Sequence, residues 1–474
     1  MSTLPSRRRF LTLLAAAGVA PTLASRCAAA TERSGSPRVI VVGAGIAGLA
    51  AAASLEKAGV ATRVLEARDR RGGRIWTSRA IGGIPLDLGA SWIHGDQGPD
   101  GEGSPIYELA QKHGIATVPF DYEDVALYGA GRRLYSDSDA AGYEAGMERL
   151  TGRIEALAES RREARLPDIP LARAIEQILE ELEPSARVER ELLNAVNHTI
   201  EHEFANSAEK LSLFHFDSAD APEGVDRLFP GGYDQIVDVI ARDVPDIRLN
   251  TPVKRIEVKD DEVMVHAASG VERAEHVLCT IPIGVLKAGK VTFDPPLAGD
   301  HARAIKLLSV GALDKLYVRY DEPFWNDEET AVIDWVGDPP GRWSEHVNVL
   351  KVFGKPLLLS FNAGAYAAEL ARKDDPTVLA EATAAYRAMF GDKAVPDRPA
   401  AYLRTNWATD PWALGSYSSF GVGSSRATIE AFGEAHEDRL HFAGEHTSPA
   451  HPATVHGAYQ SGVDAAKRIL SELE

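Results

Sequence analysis

The sequence predicts an α/β fold in which a parallel sheet is interleaved with a second, α+β domain. Residues 39–42 form a wholly apolar run, which is typical of a parallel strand buried on both faces. A glycine-rich turn follows at once, and an alanine-rich stretch then predicts a helix that ends at Gly59, a residue suited to a helix C-terminus. Residues 61–65, which end in Val64 and Leu65, predict the next parallel strand. At 474 residues the chain is too long for one ordinary core, so two domains are expected.

The turn after the first strand contains Gly43, Gly45 and Gly48. In a dinucleotide-binding βαβ unit the first glycine permits a tight turn, the second lets backbone amides approach a pyrophosphate at a helix N-terminus, and the third lets the helix lie close to the sheet. Glu66 comes 21 positions after Gly45, where a carboxylate can accept hydrogen bonds from ribose hydroxyls. The sequence has the elements of such a unit in the required order: a strand, the glycines, a helix, a second strand and the acid. It therefore predicts a dinucleotide site.

Composition and charge exclude several classes of protein. The chain is 45% hydrophobic and 25% charged, as in an ordinary soluble globular protein. Its formal net charge of −18 argues against nucleic acid as a partner and favours small cationic ones. Of the two cysteines, Cys27 lies in the N-terminal segment and Cys279 in an apolar run typical of a buried strand, so no intrachain disulfide is expected. No group of metal ligands stands out, and no bound metal is expected.

The first 30 residues have the features of a targeting segment. Residues 7–9 are arginines that precede a short apolar stretch, and three alanines at 28–30 offer a cleavage site. Twin arginines predict export of a folded protein, a route that suits a chain loading a large cofactor before it leaves the cytoplasm. Pro21 and Arg26 interrupt the apolar stretch well short of the ~20 residues that span a bilayer, so stable membrane insertion is not expected. A disordered basic N-terminus is the alternative.

Beyond the βαβ unit, the spacing of apolar residues changes along the chain. Helical spacing dominates residues 104–200. Strand-like runs follow, two of them typical of a second sheet, and the chain ends in a strand, a glycine-bearing loop and a long helix. The predicted strands are 253–258, 263–267, 277–280, 313–320 and 357–361, with a helix at 374–390 and the terminal strand, loop and helix at 440–473.

A second glycine-rich cluster lies just after the βαβ unit. Residues 71–74, Arg-Gly-Gly-Arg, place backbone amides and a guanidinium beside the expected pyrophosphate, and residues 88–95, Leu-Gly-Ala-Ser-Trp-Ile-His-Gly, offer small side chains that a flat ring system can approach. A nicotinamide enzyme needs no such second patch. With this cluster the sequence resembles the flavin-dependent amine oxidase superfamily, and the run from Gly89 to Gly95 is most similar to its polyamine oxidases. The resemblance extends over residues 37–472.

Further stretches carry the same resemblance. They lie at 206–212, 229–233, 311–317, 442–447 and 452–458. The resemblance implies an amine-oxidase or glutathione-reductase-like architecture with a Rossmann-like FAD-binding domain and an interleaved α+β substrate-binding domain. The first domain is expected to comprise residues 37–95, 229–300 and 400–474, and the second residues 96–228 and 301–399.

The positions that match the family's FAD-binding residues come from all three segments of the first domain. They are Gly43, Gly45, Ile46, Ala47, Gly48, Glu66, Ala67, Arg68, Gly73, Arg74, Gly89, Ala90, Ser91, Trp92, Val253, Trp407, Gly444, Glu445, Thr454 and Val455. Glu445 is expected to accept from ribose or to bridge to the pyrophosphate through water. The helix that begins near Thr454 is expected to direct its positive end at the flavin pyrimidine and to favour the anionic reduced ring.

Lys315 is the candidate catalytic residue. In the family the matching lysine holds a water against flavin N5. A buried ammonium can donate to such a water and stabilise charge that develops on N5 or on reduced oxygen. The alternative is a lysine whose stem lies on the protein and whose ammonium reaches the surface.

Two departures from the monoamine oxidases concern the surroundings of the flavin. Those enzymes attach flavin through a cysteine that precedes a tyrosine, whereas this chain has Ser416 before Tyr417, so the FAD is expected to be noncovalent. They also frame the substrate nitrogen between two aromatic side chains, and here Tyr417 is paired with Thr454. A one-sided cage leaves room for a longer or bulkier amine and resembles several polyamine oxidases.

Few residues indicate the substrate. A polyamine keeps its distant ammonium groups charged, and each needs a carboxylate or an aromatic face; an ion pair at 4 Å is worth on the order of 4 kcal/mol at an effective dielectric of about 20. Glu201 and Glu203 are candidate distal carboxylates, although exposed helical acids would look the same. His94, beside the flavin loop, is a candidate to contact the reacting region.

The sequence therefore predicts an exported FAD-dependent amine oxidase. A hydride passes from the carbon next to nitrogen to flavin N5, molecular oxygen is reduced to H2O2, and water hydrolyses the imine to an aldehyde plus amine. Polyamines of the spermine and spermidine class are the preferred substrates. A monoamine or L-amino-acid oxidase is the nearest alternative, although no cation for an amino-acid carboxylate is identified. The alternative of another class is a flavoprotein that only binds.

Overall fold

The fold is built on two large sheets, as expected. The computed structural model describes residues 37–97, 104–129, 131–220, 222–325 and 330–474. The predicted signal segment, residues 1–30, lies outside the described residues. Within them, a parallel sheet and a mixed sheet confirm the predicted α/β class.

The first sheet contains five parallel strands around the βαβ unit. In spatial order they are Ile247–Arg248, Thr62–Leu65, Val39–Val42, His276–Cys279 and Leu440–Phe442. The strands Val39–Val42 and His276–Cys279 are buried along their whole length. Burial raises the pKa of the Cys279 thiol to about 12, so this cysteine is an unreactive core residue, as predicted.

Two helices begin at the carboxyl edge of this sheet. The glycine-turn helix, Ile46–Lys57, follows the first strand, and the C-terminal helix, Val455–Glu472, follows the last. They pack so closely that a Cβ at Gly462 would lie 2.1 Å from the carbonyl oxygen of Ala47. Glycine at this contact therefore lets the two helices pack closely, and the parallel strands that precede them place both helix N-termini at the same edge of the sheet.

The second large sheet has seven strands, and its central strands confirm the predicted second sheet. In spatial order they are Ala401–Arg404, Leu313–Arg319, Leu357–Ala363, Glu345–Asn348, Val332–Trp335, Val125–Gly129 and Arg133–Leu134. The helix Asp375–Phe390 packs on it, and its Tyr386 is fully buried in the same core.

Three details of this sheet differ from the sequence-based expectation. Val125–Gly129 and Arg133–Leu134 are strands, although helical spacing dominates residues 104–200 in the sequence. Val125–Gly129 pairs in parallel with Val332–Trp335, a partner more than 200 positions away, so the local pattern carried little signal. Ala401–Arg404 pairs with Leu313–Arg319, so the boundary at residue 400 was placed too early for this strand.

The remaining elements connect the two large sheets. Smaller sheets are formed by Gly270–Ala274, Val263–Ala267, Val253–Val258 and Thr292–Asp294; by Trp92–Ile93, Arg227–Leu228 and Val118–Pro119; by Thr77–Ser78 and Leu86–Asp87; and by Ser309–Val310 and Ser418–Ser419. The other α-helices are Pro105–Lys112, Asp137–Glu163, Leu171–Leu182, Ala186–Val196, Asp234–Ala241, Ile283–Lys287, Gly299–Leu307, Val349–Phe353, Gly364–Leu370 and Arg426–Gly433. Within the described part of the chain, no helix combines the length and apolar character needed to cross a membrane.

Candidate active site

A large cavity lies between the parallel sheet and the seven-stranded sheet. Its volume is about 1390 Å³, which exceeds the roughly 300–1,000 Å³ of ordinary ligand sites. All the residues that we predicted to contact FAD line this cavity, with the exception of Gly48. The sequence-based prediction therefore brings residues from three distant segments to one place.

The glycine turn forms one end of the cavity. Gly43 has a φ of +110°, which only glycine adopts freely. A Cβ at Gly48 would lie 2.0 Å from the carbonyl oxygen of Gly43, which explains why Gly48 packs beneath the turn instead of lining the cavity. A Cβ at Gly45 would have no other atom within 4 Å, and no side chain caps the helix at this point. The first helical amides therefore face the cavity, as an anion-binding helix N-terminus requires.

Glu66 holds the two loops beside this turn. Its carboxylate accepts hydrogen bonds from the backbone amides of Ala44, at 2.7 Å, and Arg68, at 2.8 Å. A carboxylate has about four acceptor positions, so two remain for ribose hydroxyls. Arg68 forms a bidentate ion pair with Asp410 and closes the same end of the cavity.

An ion pair between the partly buried Arg74 and the buried Glu445 joins the other cofactor segments. Arg74 Nη1 donates to Glu445 Oε1 and to the carbonyl oxygen of Ser416, both at 2.9 Å. Glu445 Oε2 accepts from the Ser418 hydroxyl, at 2.5 Å, and from the Ala453 amide, at 3.0 Å. Burial opposes ionisation of Glu445, but Arg74 and these hydrogen bonds outweigh it and lower the pKa. Glu445 thus ties protein segments together, and its contact with ribose or pyrophosphate stays a prediction.

Lys315 is buried in the cavity wall, which excludes a lysine that reaches the surface. Its ammonium donates to the Ser91 hydroxyl at 2.5 Å, to the Gly89 carbonyl at 2.6 Å and to the Asp87 carbonyl at 2.9 Å. Burial lowers the pKa of Lys315, and the nearby Asp87 carboxylate raises it in part. The lysine therefore fixes the segment from Asp87 to Trp92, four residues of which we predicted to contact the flavin.

The structure separates the two predicted distal carboxylates. Glu203 lines the cavity, but Glu201 does not. Glu201 accepts instead from the side-chain amide of Asn197, at 2.8 Å, and from the amide of Ala208, at 2.9 Å. A π-helical turn, Asn197–Glu201, widens the end of its helix. Sequence spacing assumes a regular α-helix, and this turn changes which side chains face the cavity, so Glu201 is corrected to a structural residue.

The cavity contains more acids than the sequence indicated. Its acidic lining consists of Asp121, Glu123, Glu148, Glu155, Glu203, Asp217, Asp220, Asp226 and Glu345, besides Glu66 and Glu445 at the cofactor end. One of these lining acids, Asp217, has a strongly perturbed pKa. Its burial, together with the negative charges of Glu203 and Glu155, raises the pKa of Asp217 to about 7. Without a motif, no signal in the sequence marked these acids as one group.

A buried histidine and glutamate line the substrate side of the same cavity. His202 Nδ1 lies 2.7 Å from Glu345 Oε2. Because a carboxylate accepts, the tautomer of a neutral ring that fits this contact donates from Nδ1 and has Nε2 as an acceptor. His202 Nε2 is buried and has no hydrogen-bond partner among the described residues. This pair was not predicted, because tertiary packing brings Glu345 to a helix end 143 positions earlier.

The remaining predicted substrate residues also line the cavity. The Tyr417 hydroxyl donates to the carbonyl oxygen of His202 at 2.9 Å. The Thr454 hydroxyl donates to the His451 carbonyl and accepts from the Gly457 amide, so it caps the C-terminal helix. His94, partly exposed, lies with Nδ1 3.7 Å from Asp226 Oδ2.

Ser416 supports the expectation of noncovalent FAD. Its hydroxyl accepts from the Leu313 amide at 2.9 Å and donates to the Leu313 carbonyl at 3.1 Å, so it serves the backbone of the lysine-bearing strand. We expect acid precipitation of the holoenzyme to release all FAD into the supernatant, measured by its absorbance. Yellow colour that stays with the precipitated protein would contradict this prediction.

The glycine turn with Glu66 on one side of the cavity and the buried Lys315 on the other are the features expected of an FAD-dependent oxidoreductase. Sequence comparison places the chain more closely: residues 46–470 match the family described as flavin containing amine oxidoreductase. The chain belongs to this family, and FAD is its cofactor. The protein is thus an amine oxidase.

Several relatives share most of the chain. It is 34% identical to polyamine oxidase 4 of Oryza sativa subsp. japonica, over 95% of this chain and 92% of that one. It is 33% identical to the probable polyamine oxidase 4 of Arabidopsis thaliana, over 91% of this chain and 86% of the relative. It is also 30% identical to the human lysine-specific histone demethylase 2, of whose length it spans 53%. A solved structure of putrescine oxidase bound to putrescine has the same fold, with a TM-score of 0.74 and 22% identity over 92% of this chain and 99% of that one.

The residues present fit FAD. The Gly45 turn leaves the space that a pyrophosphate needs, Glu66 keeps acceptor positions for ribose, and small residues from Gly89 to Ser91 line the wall near Lys315. The first turn of the C-terminal helix, at Val455 and Ala458, lines the same space. Its positive end therefore favours negative charge in the cavity.

Proposed function

We propose that this enzyme oxidises polyamines of the spermine and spermidine class. The acidic lining of the cavity carries the proposal, because a chain with several ammonium groups needs several carboxylates along its path. Relatives named polyamine oxidases and a fold neighbour that binds putrescine support it. The cage residues Tyr417 and Thr454 also support it, since one aromatic side chain leaves room for a substituted nitrogen.

Different residues of the chain have different roles in this reaction. Bound FAD supplies the chemistry of hydride acceptance from the carbon next to nitrogen and of reoxidation by O2 to H2O2. Asp217 and Glu203 hold the distant ammonium groups, and the aromatic face of Tyr417 lies beside the reacting amine. Apolar walls exclude water and position the C–H bond. The reacting nitrogen must lose a proton first. We assign its acceptance to His202 Nε2, a buried nitrogen of the cavity lining with no hydrogen-bond partner among the described residues.

Anaerobic reduction of the yellow holoenzyme tests the substrate class. Spermine, spermidine, putrescine, phenylethylamine and several L-amino acids are mixed with the enzyme in turn, and the loss of flavin absorbance is followed. We expect spermine or spermidine to bleach the flavin fastest at low concentration. Faster bleaching by phenylethylamine or an L-amino acid would replace the proposal with one of those activities.

Asp217 gives the proposal a pH dependence. With a pKa of about 7, its carboxyl gains negative charge as the pH rises from 6 to 8, while distal ammonium groups with pKa values near 10 stay charged. We expect KM for spermidine to fall over this window in the wild type. In D217N, KM should be flat across the window and about tenfold higher at pH 8, the effect of about 1.4 kcal/mol of binding energy.

The matched control is E159Q, which removes an exposed acid of the helix Asp137–Glu163 that does not line the cavity. Phenylethylamine, which has no distal ammonium, is the matched substrate. A fall in KM that persists in D217N would show that another group carries the pH dependence.

The H202Q variant tests the proton acceptor. At a pH below the pKa of the substrate nitrogen, most of the substrate is protonated, and a base in the cavity speeds the reaction by removing that proton. Such a base typically raises the rate 10²- to 10⁴-fold. We expect H202Q to reduce the flavin about 10²-fold more slowly than the wild type at pH 7, and the difference to shrink towards pH 10, where the free amine is abundant. A deficit that stays constant with pH would assign His202 a structural role, and H215Q, outside the cavity, is the control.

Export through the twin-arginine machinery remains part of the proposal. The arginines at 7–9, the short apolar stretch and the alanines at 28–30 support it. Residues 1–30 fused to a folded reporter should carry it across the bacterial inner membrane, and replacement of Arg7 and Arg8 by lysine should prevent this. A reporter that stays in the cytoplasm would contradict the proposal.

A further inference from the structure

Three metal-ligating side chains meet at the end of the parallel sheet opposite the cavity. His276 begins one strand, His441 lies in the neighbouring strand, and Glu472 ends the C-terminal helix, whose first turn lines the cavity. His276 Nδ1 and His441 Nε2 are 3.1 Å apart. Glu472 Oε2 lies 3.2 Å from His441 Nε2 and 3.4 Å from His276 Nδ1. The three atoms form a nearly equilateral triangle.

A cation satisfies this triangle more fully than hydrogen bonds do. A neutral imidazole ring offers either one proton or one lone pair to the triangle. One ring proton leaves an edge on which two acceptors face each other, and two ring protons leave an edge on which two N–H donors face each other. A cation, by contrast, is a partner for three lone pairs at once.

The size of the triangle matches a particular ion. Zn²⁺ bound tetrahedrally at about 2.0–2.1 Å requires ligand atoms about 3.3 Å apart, and two histidines with one glutamate form a known type of zinc ligand set. We propose that His276, His441 and Glu472 bind one Zn²⁺. The proposal is independent of the amine oxidase activity, because the triangle lies at the far end of the helix from the cavity.

The surroundings allow a fourth ligand and limit the affinity. The histidine side chains are buried, whereas the Glu472 side chain is 36% exposed, so ions and a ligating water reach the triangle from solvent. The positive charges of Arg439 and Arg468 repel a cation bound at the triangle, and the negative charge of Asp438 attracts it. His441 Nδ1 has no hydrogen-bond partner among the described residues. Metal-bound histidines without such a partner typically lose about 10- to 100-fold in affinity, so we expect a micromolar Kd.

The structural consequence concerns the C-terminal helix. Two strands and the last turn of this helix are joined at the triangle, so the ion would fasten the helix end to the sheet. Binding to the folded state alone raises the unfolding temperature as the zinc concentration increases.

Calorimetric titration of metal-stripped holoenzyme with ZnCl2, together with thermal unfolding, tests the proposal. We expect one ion per chain with a micromolar Kd, and a higher Tm in zinc. E472Q, at an exposed position that leaves the strands intact, should weaken binding at least tenfold and abolish the rise in Tm. H441Q should do the same if it folds, and H266Q, a histidine elsewhere that contacts only Glu257 among the described pairs, should bind as the wild type does.

Three results would overturn the site. They are no binding by the wild type, which would leave a hydrogen-bonded cluster only; unchanged binding by E472Q; and equal loss in H266Q, which would indicate adventitious surface binding. None of these results bears on the proposed function, since the readouts are heat and unfolding temperature rather than amine oxidation.

Discussion

Replacing Lys315 by methionine is expected to slow reduction of the flavin by amine about 10²- to 10³-fold, because it removes a preorganised positive charge next to the place where charge develops. The substitution keeps the length and apolar character of the side chain in a buried strand. It removes the ammonium that donates to Ser91, Gly89 and Asp87. FAD should still bind, because the glycine turn and the Arg74–Glu445 pair are untouched. Stopped-flow absorbance under anaerobic conditions measures the rate.

Tyr317 provides a matched control for this variant. Its hydroxyl donates at 3.1 Å to the same Asp87 carbonyl that accepts from Lys315, but Tyr317 does not line the cavity. Y317F therefore loosens the segment that begins at Asp87 without removing a cation from the site. We expect flavin reduction in Y317F within a fewfold of the wild type. Equal losses in K315M and Y317F would assign Lys315 to holding this segment, and an unaltered rate in K315M would remove it from the chemistry.

The predicted cofactor residues come together in one cavity for a local reason. The glycine turn acts through backbone geometry over the few positions from Gly43 to Gly48. That geometry depends on which residues are glycine, so it can be predicted directly from the sequence. The Arg-Gly-Gly-Arg run and the Gly89–Ser91 stretch have the same property. These local motifs meet in the cavity because they lie at, or in the loops beside, the same edge of the parallel sheet.

The substrate side shows what local patterns cannot convey. Glu203 and Glu201 look alike in the sequence, and a π-helical turn decides that only Glu203 lines the cavity. Asp217 acquires its high pKa from burial and from acids on other segments. The His202–Glu345 pair joins the end of a helix to a strand 143 positions later in the chain. These features arise from long-range packing, so no window of the sequence contained them.

Replacing Gly45 by alanine is expected to abolish FAD binding while preserving the fold. Gly45 has φ −73° and ψ 175°, which alanine adopts without strain, and its added methyl would meet no protein atom within 4 Å. Gly→Ala at a compatible position stabilises by about 0.4–1 kcal/mol, so the apoprotein should melt no lower than the wild-type apoprotein. The methyl fills the space where backbone amides receive the pyrophosphate, and we expect at least about 100-fold weaker FAD binding.

The variant G48A is the control for G45A, because it is expected to affect folding instead of the FAD-binding space. A methyl there would overlap the Gly43 carbonyl oxygen at 2.0 Å, and overpacking of this kind costs about 1–3 kcal/mol or more. G48A should therefore lower the Tm of the apoprotein, whereas G45A should leave it unchanged and yield colourless protein. Fluorescence titration with FAD and thermal unfolding of both apoproteins separate the two effects. A yellow G45A enzyme with normal FAD affinity would show that the cofactor does not use this turn, because no loss of folding could account for the result.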